Sequence, residues 1–372
     1  MKFFAPTVIK VTLFCGLICD YNLFIFEFMP PTSSQPNVLL IRLSAIGDIV
    51  MASGLPSSIK TALPNAKVTW LVEQPYVGLV QHHPFVDEVI SWPKNEWRAL
   101  GKKRAYWSLV KSILAFRKQL RARGFTHAID AQGLLKSAFL AFLSGAKNRI
   151  GFNSKEHSQR FLTNAIDKPI SDQISSEYRF LSAHLGATSY ALNIEMGEQA
   201  TLQLRQTLQV MSVKGEYIVL APFTTRPQKH WPIAHWKQLI TLIRQHCSYP
   251  IVILGGPTDS CDAQSLTFDT SDVYSLAGHA TLSESAVAVK QSRAFIGVDT
   301  GLTHMAVAYV LPTIALFGST CPYTYTDNDN THVLYKDLAC APCKRKPSCN
   351  GAFDCMALIS PEAVFNTVKE YL

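Results

Sequence analysis

The sequence predicts an α/β protein with two halves, each built on a parallel sheet. The chain has 372 residues, and since one domain takes roughly 100 to 200 residues, two domains are expected. Apolar runs typical of strands alternate with helix-like segments, and this alternation starts again after a polar stretch near residues 190–215. With 48% hydrophobic and 17% charged residues, the composition is that of a globular protein and excludes a disordered one.

The first half begins with a short apolar run that ends in a glycine-containing turn. The predicted strands are 38–43, 67–73, 86–92 and 126–130, with helices over 49–63 and within the basic segment 94–123.

The second half repeats this order of elements. Its predicted strands are 217–221, 251–254, 272–276 and 294–298, and one helix is predicted over 233–246. Another helix begins at Leu282, because Thr281 and Glu284 have the spacing of a capping box.

The first 36 residues are apolar but do not suit a membrane-spanning helix. Charged residues interrupt them, and the longest uncharged apolar run, 11–19, is short of the ~20 residues that a span needs. Two interpretations stay open: residues 1–28 lie upstream of a true start at Met29, or they form a weak membrane-facing segment. We therefore predict three parts: an extension over 1–36, a first Rossmann-like domain over 37–200 and a second one over 201–372.

The positive charge is concentrated in one segment. The whole chain carries +8, whereas residues 94–123 contain ten basic residues and one acid, Glu96. Apolar residues interleave with these cations at helical spacing, which is typical of an amphipathic helix on an anionic membrane surface. A packed helix with a solvated basic face is the alternative. A nucleic-acid partner is not expected, because no known binding motif or second basic stripe is present.

Ligands of doubly wound sheets bind beside the carboxyl ends of the strands, so the turns there are the candidate sites. In the first turn, which starts at Ser44, Gly47 permits a tight bend. Asp48 follows it and either accepts a proton from a substrate hydroxyl or caps the next helix. In the turn after residue 130, Gln132 is placed to bind a sugar. Lys136 either pairs with an acceptor carboxylate or is an ordinary surface lysine.

The turn after residue 221 gathers hydroxyl and cationic side chains. Thr224, Thr225, Arg226 and Lys229 precede Pro232, which starts a helix, so they suit a cradle for a pyrophosphate. A solvated polar loop is the alternative.

The turn after residue 298 combines an acid with a helix start. Backbone N–H groups near Gly301 and the hydroxyl of Thr300 suit phosphate oxygens. Asp299 either orients the site or caps the helix, and His304 is either a ligand or a packed residue. The turns contain neither a dinucleotide fingerprint nor a P-loop, which argues against hydride and phosphoryl transfer.

Four of the nine cysteines lie close together near the C-terminus. They are Cys340, Cys343, Cys349 and Cys355. The first pair has the spacing of zinc ligands, but the later gaps do not complete a standard site, so free thiols are favoured over a structural zinc. No motif for a catalytic metal is present, and we expect neither a metal nor a cofactor.

Taken together, the four turn motifs resemble those of the lipopolysaccharide heptosyltransferases of glycosyltransferase family 9, particularly the heptosyltransferase I branch. The motifs are SAIGD at 44–48, DAQGLLKS at 130–137, TTRPQKHWP at 224–232 and VDTGLTH at 298–304. The resemblance implies a GT-B fold, two Rossmann-like domains with a cleft between them. It also implies metal-independent, inverting transfer of heptose from ADP-L-glycero-D-manno-heptose to Kdo-lipid A of the inner core, at the cytoplasmic face of the inner membrane.

The resemblance also implies roles for individual residues. Asp48 is the expected general base; Ser44, Gln132 and Lys136 are expected on the acceptor side; and Thr224, Thr225, Lys229, Asp259, Asp299, Thr300, Gly301 and His304 are expected on the donor side. Asp259 is assigned to the donor ribose, where some members of the family have a glutamate. Two alternatives stay open: a family member with another donor or acceptor, such as a heptosyltransferase II-like enzyme, and a non-catalytic sugar-nucleotide-binding protein.

Overall fold

The computed structural model of the protein describes residues 35–372, except positions 172, 268, 269, 321, 322, 324, 327 and 344. Positions 1–34 of the predicted extension, with the apolar run 11–19, lie outside these residues. The described residues form two six-stranded sheets in which every strand pair is parallel. The predicted α/β class with two parallel sheets is confirmed.

Each half of the chain supplies one sheet. The first sheet contains β1 (Asn37–Ile41), β2 (Lys67–Glu73), β3 (Glu88–Trp92), β4 (His127–Asp130), β5 (Asn148–Phe152) and β6 (Asn164–Ile166). The second contains β7 (Ile218–Ala221), β8 (Ile251–Ile253), β9 (Val273–Ser275), β10 (Ala294–Val298), β11 (Thr313–Phe317) and β12 (Thr331–Tyr335).

Helices connect the strands and cover both sheets. They are α1 (Ile46–Met51), α2 (Leu55–Ala62), α3 (Lys94–Lys102), α4 (Tyr106–Arg121), α5 (Leu135–Ser144), α6 (Ser176–His184), α7 (Glu198–Val210), α8 (Ile233–His246), α9 (Ser260–Thr267), α10 (Leu282–Lys290), α11 (Gly301–Ala308), α12 (Asp354–Ala357) and α13 (Pro361–Val368). Short 3₁₀ helices occupy Gln74–Leu79, Ser158–Phe161, Pro227–Lys229, Pro257–Asp259 and Lys369–Tyr371.

Several elements have the predicted bounds, and two predicted helices are interrupted. The bounds of β2, β10 and α8 are as predicted, and the capping box is present, since Thr281 accepts from the N–H of Glu284. The single helix predicted over 49–63 is wrong: Pro56 lies in the first turn of α2, and proline inside a continuous helix would remove a hydrogen bond and clash. The basic segment likewise forms two helices, because Arg104 between them has a left-handed φ of 54°.

Both sheets have the same strand order. The first runs β3-β2-β1-β4-β5-β6, and the second, read from its other edge, runs β9-β8-β7-β10-β11-β12. Each is the doubly wound order of a Rossmann fold, in which the chain reverses direction across the sheet between its first and fourth strands. The crevice at each reversal lies at the carboxyl ends of β1 and β4 in one sheet and of β7 and β10 in the other.

The strands are buried on both faces, as parallel strands in α/β proteins are. In β1, Val38 belongs to one buried cluster and Leu39 to another on the opposite face of the sheet. The cluster that contains Val38 also contains Ile49 of α1 and Met305 of α11. This hydrophobic core therefore continues from the first half into the second.

Two further observations concern the predicted organisation. In the part of the chain that the structure describes, none of the helices is both long enough and apolar enough to cross a membrane. The helix α7 (Glu198–Val210) contains the predicted domain boundary at residue 200, and this division stays a prediction.

Candidate active site

The four predicted turns lie at the two chain reversals, and the helices that leave two of them are in contact. Gly47 in α1 lies against His304 in α11, because a Cβ added at Gly47 would be 2.5 Å from Cδ2 of the imidazole. Gly301 in α11 lies just as closely against Ile46 in α1, because a Cβ added at Gly301 would overlap the isoleucine side chain. The absence of a side chain at these two glycines lets the N-terminal ends of α1 and α11 approach closely, so the two halves of the candidate site face each other.

Asp48 lies in the first turn of α1, half exposed. Its Oδ2 accepts the N–H of Ala45 at 3.1 Å and lies 2.7 Å from Nη2 of Arg42. Its Oδ1 makes no hydrogen bond to the described residues, and the side chain keeps 37% exposure. Both predicted roles are therefore compatible: one oxygen caps the helix, and the other is open to a substrate hydroxyl.

Arg42 holds Asp48 and was not among the predicted residues. It is buried at the carboxyl end of β1, where Nη1 donates to the carbonyl of Ala131 at 3.0 Å. Its guanidinium carbon lies 5.5 Å from the ring centre of Tyr178 in α6. The available signal was a single arginine inside an otherwise apolar strand, because a buried cation needs a partner.

Asp299 is the centre of the polar cluster in the second half. Lys229 Nζ lies 2.5 Å from its Oδ2, Thr320 Oγ1 donates to the same oxygen, and His304 Nε2 lies 3.5 Å from Oδ1. Burial raises the pKa of Asp299, but the hydrogen bond from His304 and the charge of Lys229 outweigh it and hold the pKa well below its usual range. The cluster thus keeps an ionised carboxylate that positions a cation and an imidazole. Thr320 was not predicted.

Three predicted hydroxyl residues, Thr224, Thr225 and Thr300, lie within a few positions of Lys229 or Asp299 in the sequence. Thr300 is the N-cap of α11, and its Oγ1 accepts the N–H of Leu302 at 3.1 Å. The carbonyl of Thr224 contacts His230 Nε2 at 2.7 Å, which fixes the turn, and Thr225 is exposed. The N-terminus of α11 offers backbone N–H donors, and the predicted contacts of the three threonines with a phosphate stay predictions.

The predicted acceptor residues lie at the carboxyl ends of β1 and β4. Gln132 is buried, and its Oε1 accepts the N–H of Leu43 at 2.9 Å. Lys136 Nζ lies 5.7 Å from the ring centre of Trp92, and Ser44 is half-buried in the first turn. The structure therefore gives Gln132 a role in joining β1 to β4, and the roles of these residues toward an acceptor stay predictions.

Asp130 organises the same turn from inside the protein. It is fully buried and accepts the N–H groups of Gln132 and Gly133 and the hydroxyl of Ser137. Burial outweighs these hydrogen bonds and raises the pKa of Asp130 to about 6. This carboxyl group was not predicted as a functional residue, and its contacts are all structural.

The carboxylate of Asp259 is bonded within its own turn. Its Oδ2 accepts the N–H of Gly256 at 2.8 Å and so closes the 3₁₀ turn that follows β8. The structure therefore gives it a capping role, and the assignment to a ribose stays a prediction.

The four clustered cysteines carry free thiols. Burial and the neighbouring thiols of Cys343, Cys340 and Cys349 raise the pKa of Cys355. Among the residues that the structure describes, no group of three or more histidine, cysteine or acidic side chains is arranged to hold a metal ion.

The family was decided by comparison with known proteins. Residues 113–353 match the model of glycosyltransferase family 9 (heptosyltransferase). The chain belongs to glycosyltransferase family 9. The predicted family and the predicted class of enzyme, a glycosyltransferase, are confirmed. Two relatives from this family are the lipopolysaccharide heptosyltransferase 1 proteins of Pseudomonas aeruginosa and Escherichia coli K12. Each is 28% identical; the alignments cover 83% and 77% of this chain and 86% and 88% of the relatives.

Solved structures of heptosyltransferases have the same fold, and the predicted GT-B fold is confirmed. Escherichia coli heptosyltransferase WaaC with ADP-2-deoxy-2-fluoro heptose has a TM-score of 0.68 at 25% identity, covering 90% of this chain and 100% of that one. Escherichia coli ADP-heptose lps heptosyltransferase II has a TM-score of 0.71 at 19% identity, covering 90% and 98%. Lipopolysaccharide heptosyltransferase 3 of Escherichia coli K12 is also similar, at 23% identity over 74% of this chain and 80% of the relative. Both heptosyltransferase 1 and heptosyltransferase 3 proteins are therefore among the relatives of this chain.

Proposed function

We propose that the protein transfers L-glycero-D-manno-heptose from ADP-heptose to Kdo of Kdo-lipid A in lipopolysaccharide core synthesis, at the cytoplasmic face of the inner membrane. The observation that carries this proposal is the pair of facing helix starts. Asp48 at the start of α1 has an open carboxylate oxygen, and the Lys229–Asp299–His304 cluster lies beside the start of α11. This arrangement supports the proposal, because a sugar transfer from a nucleoside diphosphate requires a proton acceptor and anion-binding groups at one crevice.

The donor half supplies positive charge where the leaving group develops negative charge. When the bond from the anomeric carbon to the diphosphate breaks, ADP takes the electron pair. Lys229, the N-terminus of α11 and the threonine hydroxyls stabilise that charge without a metal ion. Asp299 fixes Lys229 and His304 in place. The donors are preorganised, because the residues that hold them are buried.

The acceptor half supplies the proton acceptor. Asp48 Oδ1 takes the proton of the Kdo hydroxyl as its oxygen attacks the anomeric carbon from the side opposite ADP, and a single displacement inverts that carbon. Arg42 holds Oδ2 and so leaves Oδ1 for the substrate hydroxyl. Ser44, Gln132 and Lys136 are proposed to contact the acceptor, and Asp259 the donor ribose.

The decisive experiment combines the full-length protein with ADP-heptose and Kdo-lipid A. We expect heptose transfer with inversion, and we expect Asp48→Asn to lower turnover by roughly 10²- to 10⁴-fold while ADP binds as in the wild type. The matched control is Asp262→Asn, an exposed acid in the first turn of α9, which should leave turnover unchanged. Undiminished turnover of Asp48→Asn would remove Asp48 as the base.

The same assay separates the two alternatives. Transfer only with another nucleotide sugar, or only to an acceptor that already carries heptose, indicates a family member of different specificity, such as a heptosyltransferase II-like enzyme. Tight binding of ADP-heptose without transfer to any core acceptor indicates a non-catalytic sugar-nucleotide-binding protein.

A further inference from the structure

The helix α4 (Tyr106–Arg121) exposes an unusual set of side chains. Its buried residues are Phe116 and Leu120, whereas Tyr106, Trp107, Val110 and Leu114 are exposed. Trp107 is 84% exposed. Scattered exposed apolar residues are ordinary, but four within nine positions of one helix form a patch of the kind that marks an interaction surface.

Three of the four exposed apolar residues and three of the cations share one stripe of α4. We call this stripe the α4 face: Trp107, Val110, Lys111, Leu114, Lys118 and Arg121. At about 100° per residue, all six lie within about 60° of a line drawn along the helix through Trp107. The buried Phe116 and Leu120 lie on the opposite side of the helix.

The cations of the α4 face have no acidic partners among the residues that the structure describes. Lys94 and Arg123, at the two ends of the basic segment, pair with Glu73 and Glu88. Within the described residues no ion pair involves any cation between them: Arg98, Lys102, Lys103, Arg104, Lys111, Arg117, Lys118 and Arg121. These unpaired charges favour an anionic partner.

Trp97 of α3 packs against the side of α4 that lies opposite the α4 face. Trp97 of α3 makes edge-to-face contacts with Trp92 and Phe116, with ring centres 5.9 and 5.7 Å apart, and its Nε1 donates to Ser112 of α4 at 3.0 Å. The exposed residues of α4 are therefore the outer side of a packed helix, since its inner side already has its partners.

The topology places one end of this face on the same side of the first sheet as the candidate active site. A helix that connects two parallel strands runs antiparallel to them. The N-terminal end of α4, with Tyr106 and Trp107, therefore lies at the edge of the sheet where β1 ends and the Asp48 turn begins.

We propose that the α4 face docks the protein on a bilayer of anionic lipids, with Trp107 inserted at the level of the headgroups and Lys111, Lys118 and Arg121 on their phosphates. An apolar stripe with interleaved cations suits this interface, because each kind of side chain meets its complement there. Nucleic acid offers the negative charge but no apolar layer for Val110 and Leu114. The benefit for a lipid-anchored acceptor rests on the proposed function, whereas the docking itself does not.

The test uses the full-length protein and sedimentation with vesicles of phosphatidylcholine, with or without a quarter of phosphatidylglycerol. We expect binding to the anionic vesicles, weakening at high salt, and little binding to the neutral ones. Lys111→Glu with Lys118→Glu should lower the partition coefficient at least about tenfold. Matched controls on the second half are Lys237→Glu on α8 and Leu202→Ser on α7, both exposed, and neither should change binding.

Trp107 also provides a direct signal of insertion. Of the six tryptophans in the sequence, Trp70, Trp92, Trp231 and Trp236 are buried and Trp97 is half-buried. Lipids brominated near the headgroup should therefore quench Trp107 fluorescence selectively, and Trp107→Phe should abolish the quenching while the protein still binds.

Two outcomes would overturn the docking proposal. One is unchanged vesicle binding by the charge-reversal variant; the other is binding of duplex DNA, but not of anionic vesicles, by the wild type. Turnover with a water-soluble, deacylated acceptor keeps the two proposals distinguishable. The α4 variants should retain it, and its absence in the wild type would count against the proposed function alone.

Discussion

The contact between Gly47 and His304 makes a small substitution informative. An alanine methyl carbon at position 47 would lie 2.5 Å from Cδ2 of His304, and an ordinary contact between carbon atoms needs about 3.5 Å. The imidazole, or the whole of α11, must therefore move by about 1 Å. Overpacking of this kind costs ~1 to 3 kcal/mol, and the higher helix propensity of alanine returns up to ~1 kcal/mol.

We therefore expect Gly47→Ala to lower the free energy of unfolding by about 1 to 2 kcal/mol, measured by denaturant titration. Turnover should fall by much more than this loss of stability suggests, because misplacing a reacting group by about 1 Å can cost ~10²-fold. The matched control is Gly101→Ala in α3, where a methyl group meets no atom within 4 Å. If Gly47→Ala were as stable and as active as the wild type, α1 and α11 would not be in the contact described.

Two further predictions concern buried charges in the first half. Replacing Arg42 by Met should lower kcat roughly 10- to 100-fold with little change in KM for the donor, because Asp48 loses a charge-assisted hydrogen bond. Arg42→Lys should restore part of the loss. An unaffected kcat in the Met variant would argue against a positioning role for Arg42. Asp130 should make stability depend on pH: its pKa rises from 3.8 unfolded to about 6 folded, so its contribution is most favourable below pH 4 and is lost as the pH rises through 6. As the pH rises through this range, the wild type should lose about 3 kcal/mol of unfolding free energy relative to Asp130→Asn. Parallel pH curves for the two proteins would contradict this expectation.

Much of the fold follows from local patterns in the sequence. The apolar runs that became β2 and β10 and the amphipathic segment that became α8 carry their own signals, and the turn positions follow from glycine placement. The strand β12, by contrast, is half-buried along its whole length, so it has neither an alternating pattern nor a continuous apolar one.

The site was predictable as positions but not as contacts. The motifs placed Asp48 and Asp299 on turns after strands, and both turns lie at a chain reversal in the structure. The partners of these acids come from elsewhere in the chain: Thr320 follows β11, and Tyr178 under Arg42 lies in α6. Such pairings depend on tertiary packing, which the spacing within one motif does not encode.

The hydrophobic core that runs from Ile49 in the first half to Met305 in the second has a thermodynamic consequence. Residues of both halves pack in this one cluster, so unfolding of either half is expected to expose apolar surface of the other. We therefore expect the two halves to unfold in one cooperative transition. A nucleotide bound only to the second half should then also raise the melting temperature of the first by mass action.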